Sequence, residues 1–109
     1  MTERKVKLDR ANKSILLRAL GDVYYSQRGR GYSGEDTGRL ILRVNDLPNG
    51  GKLTMTAAEY QLAKNALNQL RTQRLAEGGY TDAVDDALAR LLHAHTPLLL
   101  HAHTPLLLW

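Results

Sequence analysis

Between Thr56 and Leu92 the apolar residues recur at the helical period in two runs, separated by a glycine-rich break. Thr56-Ala57-Ala58-Glu59 has the form of a capping box, and Ala63, Ala66, Leu67 and Leu70 follow at i, i+3, i+4, i+7 spacing. This predicts a helix from about Thr56 to Glu77, stopped by Gly78-Gly79. Thr81 offers a second cap. Asp82, Asp85 and Asp86 fall in the first turns of the next helix, where the helix dipole favours negative charge, and Val84, Ala87, Leu88, Leu91 and Leu92 form its stripe. Two antiparallel helices joined by a short turn are expected.

The first half reads the same way. Leu16, Ala19, Leu20 and Val23 lie on a helix that begins near Asp9 and frays before Gly29. Sliding the sequence against itself by 47 positions pairs Ala19 with Ala66, Leu20 with Leu67, Val23 with Leu70, Gly31 with Gly78, Glu35 with Asp82, Ile41 with Leu88, Arg43 with Arg90 and Val44 with Leu91. The stripes stay in phase, as an internal duplication requires, although two amphipathic hairpins of similar length would produce part of the match by chance. The expected architecture is mainly α, four helices as two helical hairpins, in one domain over residues 1–92.

One segment supports a competing reading. In Gly38-Arg39-Leu40-Ile41-Leu42-Arg43-Val44, Leu40, Leu42 and Val44 alternate with their neighbours as in a strand, and Gly38 costs a helix about 1 kcal/mol. Asn45 to Gly51 would then turn the chain into Lys52-Leu53-Thr54-Met55, making an α+β fold with a β-hairpin at about 39–55. The helical reading is preferred because it keeps the phase of the other half.

Composition limits the function classes. There is no cysteine, which excludes disulfides and thiolate chemistry, and the N-terminus has no apolar run of secretory type, so a cytoplasmic location is expected. No stretch is long enough for a membrane span. Residues 1–52 carry eleven Lys/Arg against six Asp/Glu, and residues 53–109 four against five, so the excess positive charge belongs to the first half. An imbalance of this size fits a solubilising surface and also attracts polyanions.

Catalytic constellations are missing from the sequence pattern. All four histidines lie in the tail, where nothing orients them against Ser14, Ser26 or Ser33 as a nucleophile requires. The His-Ala-His pairs at 93/95 and 101/103 have no cysteine or carboxylate to complete a metal site, and Asp82, Asp85 and Asp86 are accounted for by the helix dipole. The expectation is a protein that is not an enzyme, with no cofactor and no metal. The tail itself, His93-Ala-His-Thr-Pro-Leu-Leu-Leu100 repeated as His101 to Leu108 and closed by Trp109, is uncharged and reads as an apolar docking segment or a cloning or reading-frame artefact.

Tyr24-Tyr25-Ser26-Gln27-Arg28-Gly29-Arg30-Gly31-Tyr32-Ser33-Gly34 interleaves arginine, tyrosine and glycine. Guanidinium groups fork onto phosphates and tyrosines stack on bases, so Arg28, Arg30 and Tyr32 form a candidate nucleic-acid or nucleotide site, joined by Arg71 and Arg74 if the halves are pseudo-symmetric. The bland reading is a solvated connector. The glycine spacing matches neither a P-loop nor a dinucleotide fingerprint.

The runs Leu53-Thr54-x-Thr56-x-x-Glu59-Tyr60, Ala66-Leu67-x-x-Leu70 and Gly79-Tyr80-Thr81-Asp82-x-Val84-Asp85-Asp86-x-Leu88 resemble short uncharacterised helical proteins of phages and mobile elements. That resemblance implies an accessory protein acting by binding. The expected function is a small non-catalytic binding or regulatory module acting stoichiometrically on another macromolecule. A protein partner comes first, nucleic acid or nucleotide second, and a homo-oligomer is compatible with both.

Overall fold

The computed structural model describes residues 3–93, so the expectations attached to the repeated tail at 93–109 lie, apart from His93, outside the described residues. The element order is β1 (Arg4–Lys7), α1 (Arg10–Gly29), α2 (Glu35–Asp46), β2 (Lys52–Met55), α3 (Ala57–Ala76) and α4 (Asp82–Leu92). Over the described residues the fold is mainly α, with four helices in two hairpins and one small antiparallel sheet. Among the described residues no helix is long and apolar enough to cross a membrane.

The helices start and stop where their end chemistry dictates. The Asp9 carboxylate accepts the Asn12 amide at 2.8 Å, and the Thr56 hydroxyl accepts the Glu59 amide at 3.1 Å while Glu59 accepts from the Thr56 amide at 3.0 Å, completing the capping box. After α1 and α3 the chain turns through Gly31 (φ 88°) and Gly78 (φ 75°), a left-handed conformation that glycine takes without steric cost.

The β-hairpin considered for 39–55 does not form. Arg39 to Val44 belong to α2, while Lys52 to Met55 do form a strand but pair with the N-terminal strand: Arg4 with Met55, Lys5 with Thr54, Val6 with Leu53 and Lys7 with Lys52. Burial shows why. Leu40 and Val44, one helical turn apart, are fully buried, whereas Leu42, which a strand would place on their face, is 64% exposed. Gly38 is tolerated inside the helix because the Tyr24 ring lies against it, 3.3 Å from where a Cβ would stand.

The two halves repeat each other at the offset read from the sequence. Helices α1 and α3 both have 20 residues and begin 47 positions apart, as do their caps Asp9 and Thr56, the turns at Gly31 and Gly78, and the starts of α2 and α4. The core obeys the same offset, with Val6/Leu53, Leu8/Met55, Ala19/Ala66, Leu20/Leu67, Leu40/Ala87 and Val44/Leu91 all buried. Full burial of each leucine here stabilises the fold by about 1.5–3 kcal/mol. The sheet register is twofold too: Val6 pairs with its own equivalent Leu53, and the pair Lys5–Thr54 maps onto Lys7–Lys52. A pseudo-twofold axis therefore passes through the centre of the ribbon.

Local solutions differ between the halves. Where Tyr24 packs on Gly38 in the first, the equivalent Arg71 and Asp85 in the second form an ion pair at 2.6 Å. Helix α1 is the hub, packing against α2, α3 and α4, and α4 also reaches α3 and β1.

Candidate nucleic-acid interface

Alternation along the ribbon separates two chemistries. Val6, Leu8, Leu53 and Met55 point inward and are buried, and Arg4 tucks its guanidinium over the Tyr60 ring, 4.2 Å from the centroid. The other face presents Lys5, Lys7 and Lys52, all exposed, and the half-buried Thr54. Lys7 stands directly opposite Lys52, and among the described residues none of the three lysines makes an ion pair. Like charges facing each other across a ladder cost about 0.2–1 kcal/mol, so this face is kept basic against its own stability.

The two ends of the ribbon are flanked differently. At the Lys7–Lys52 end, Arg90 from the last turn of α4 and His93 at its C-cap line a shallow depression of about 380 Å³ with Lys5, Lys7 and Lys52. Arg90 has only a distant carboxylate partner, Asp9 at 3.9 Å. At the Lys5–Thr54 end the equivalent Arg43 is fully engaged, paired with Glu59 at 2.5 Å and donating to the Thr54 carbonyl. Burial raises the pKa of Glu59, but the Arg43 hydrogen bond and the Thr56 backbone amide outweigh it and hold the carboxyl below its ordinary value. The equivalent of His93 at this end is Asp46, which is exposed.

Two of the five sequence-selected residues line one depression. Arg30 and Tyr32 share a depression of about 340 Å³ with Val23 and Gln69, and Tyr32 is 64% exposed. Arg28 is turned to the Ser33 carbonyl at 3.3 Å. Arg71 is committed to Asp85, which that hydrogen bond, and then one from the Thr81 hydroxyl, hold below the ordinary aspartate pKa. Arg74 lies in the last turn of α3 and does not line the depression of Arg30 and Tyr32.

Comparison with protein-family models, with curated proteins and with solved structures finds no match to this chain. The lysines of the ribbon were not singled out from the sequence. The available signal was the alternation of Lys5 and Lys7 with Val6 and Leu8, aligned at the 47-residue offset with Lys52 and Thr54 alternating with Leu53 and Met55.

Proposed function

We propose that this chain is a non-catalytic, duplex-DNA-binding protein that lays the β1–β2 ribbon into the major groove. The observation that carries the reading is the trio Lys5, Lys7 and Lys52, without an ion-pair partner among the described residues, on the outer face of a two-stranded ribbon whose inner face is sealed into the core. The major groove admits a two-stranded ribbon, and outward side chains alternating along its strands then meet base edges and phosphates. A pseudo-twofold through the ribbon matches the dyad of duplex DNA. The net charge of +4 draws the same partner from a distance. The protein then acts stoichiometrically as a regulator, in the cytoplasm with access to chromosomal or phage DNA.

The test is fluorescence anisotropy of the full chain with a labelled duplex and with the single strand of the same sequence, at low and moderate salt. The duplex should bind more tightly, and Lys5→Thr/Lys7→Thr/Lys52→Thr should abolish binding. A preference for the single strand that Tyr32→Ala removes and the lysine variant leaves intact would instead place the site in the Arg30–Tyr32 depression.

A further inference from the structure

We infer that the DNA site consists of two unlike half-sites and that the protein sits on it in one fixed orientation. The inference rests on the ribbon reading and adds the substrate's asymmetry to it. Its basis is a polarity that breaks the pseudo-twofold at three positions, Lys7/Thr54, Asn12/Glu59 and His93/Asp46, while Lys5/Lys52 and Arg43/Arg90 keep it. One end carries two lysines, Lys7 and Lys52, where the equivalent pair at the other end is Thr54 and Lys5. Beside the first end stand Arg90, with its nearest carboxylate 3.9 Å away, and His93. Beside the second stands Arg43, paired with Glu59 at 2.5 Å, and the residue equivalent to His93 in that half is the exposed Asp46. The residue equivalent to Glu59 in the other half is Asn12, buried and uncharged, which is why Arg90 lacks the partner that Arg43 has.

The chemistry of each end selects different bases. A lysine ammonium donates to O6 and N7 of guanine, whereas a threonine methyl packs on the thymine methyl and a half-site gripped by fewer cations gains less from its phosphates. The half under Lys7 and Lys52 is therefore guanine-bearing and tightly held, and the half under Thr54 accepts thymine.

Selection from a random-sequence duplex pool by the full-length chain, followed by sequencing, tests this. A consensus of unlike halves is expected, bound about 5- to 150-fold more tightly than either palindrome built from one half, as the loss of one specific base contact dictates. Thr54→Lys with Asp46→His gives both ends two lysines and a histidine, and this variant should select a site whose two base-contacting halves match, with Arg43–Glu59 left as the remaining difference. A second measurement does not depend on that variant folding. The chain has no cysteine, so Asn49→Cys, exposed in the connection beside the Lys7–Lys52 end, carries an iron-chelate cleavage reagent at one point. Cuts confined to one half of the selected site support a fixed orientation. A wild-type consensus that is an inverted repeat, or equal cuts in both halves, overturns the inference while leaving the ribbon reading intact. Failure to retain any duplex at low salt overturns the ribbon reading itself.

Discussion

Replacing Lys7 by threonine, the residue at the equivalent place in the second half, should move stability and DNA affinity in opposite directions. Lys7 faces Lys52 across the ladder with no carboxylate between them. Removing the repulsion recovers about 0.2–1 kcal/mol, and threonine is the better strand former. For a domain of this size 1 kcal/mol corresponds to about 4–8 °C, so the melting temperature should rise by about 1–8 °C. Binding goes the other way. The ribbon and its flank hold four cations, Lys5, Lys7 and Lys52, which have no carboxylate partner among the described residues, and Arg90, whose partner Asp9 is 3.9 Å away. If each of the four, in the groove or on the backbone, displaces one condensed counterion at a slope of about 0.9, the log–log salt slope is about −3.6, or about 150-fold loss of affinity between 50 and 200 mM salt. Lys7→Thr should flatten this to about −2.7, or about 40-fold over the same range. Thermal melts by circular dichroism and anisotropy titrations at several salt concentrations measure both numbers on one preparation. A higher melting temperature with an unchanged slope would refute the ribbon as the interface, and a lower melting temperature would refute the like-charge argument.

Gly38→Ala should be close to neutral in the natural chain, because a helix-propensity gain of about 1 kcal/mol meets crowding against the Tyr24 ring at 3.3 Å. In a Tyr24→Ala background the same change should stabilise by about 1 kcal/mol in urea titrations, and additive effects would contradict the packing described. Acid should weaken the fold through Asp85 and Glu59, both held below their ordinary values of 3.8 and 4.5. The unfolded chain binds these protons more readily, so their contribution is present at neutral pH and is lost as pH falls through and below those ordinary values. Melting temperature should therefore drop less steeply below about pH 5 in Asp85→Asn/Glu59→Gln than in the natural chain, and parallel curves would show that neither pair is linked to folding.

The helices were legible in the sequence because their signals are local. A capping box, a glycine stop and an apolar stripe all lie within one helix length, and the 47-residue offset exposed the repeat without any knowledge of packing. The segment 39–44 was ambiguous because Leu40, Leu42 and Val44 satisfy both periods, and only the exposure of Leu42 separates them. The ribbon was half legible. Lys52 to Met55 was legible as a strand only within the competing hairpin reading, because its partner lies 45 to 51 residues away in sequence and each strand has only four residues, too short to show a period by itself. The Arg/Tyr cluster attracted attention through composition, whereas what distinguishes a surface arginine from a site is its partner. Arg71 and Arg43 are engaged by Asp85 and Glu59 from other helices, and no spacing rule along the chain reports that.

A twofold ribbon made from one chain differs physically from the same ribbon made from two copies. In a homodimer every substitution appears twice, so a lysine at position 7 would stand at both ends and neither end could be told from the other. Here residues 47 to 51 join the halves, and their geometry is tightly set. Gly50 takes φ 80°, and a Cβ on Gly51 would stand 2.8 Å from the Pro48 carbonyl oxygen. The amide of Leu8 donates to the Gly51 carbonyl at 3.0 Å and that of Gly50 to the Leu8 carbonyl at 2.8 Å, so the connection is zipped onto the strand that it serves. Closing the ladder then costs loop entropy within the chain instead of the translational and rotational entropy of association, and the ribbon forms at any protein concentration. Covalent joining also frees each half to change alone. Tyr24 with Gly38 and Arg71 with Asp85 are two answers to one packing position, and Lys7 and Thr54 are two answers to one position on the ribbon. The first difference lies between neighbouring helices, with Arg71 and Asp85 half exposed, while the second gives a twofold ribbon a direction.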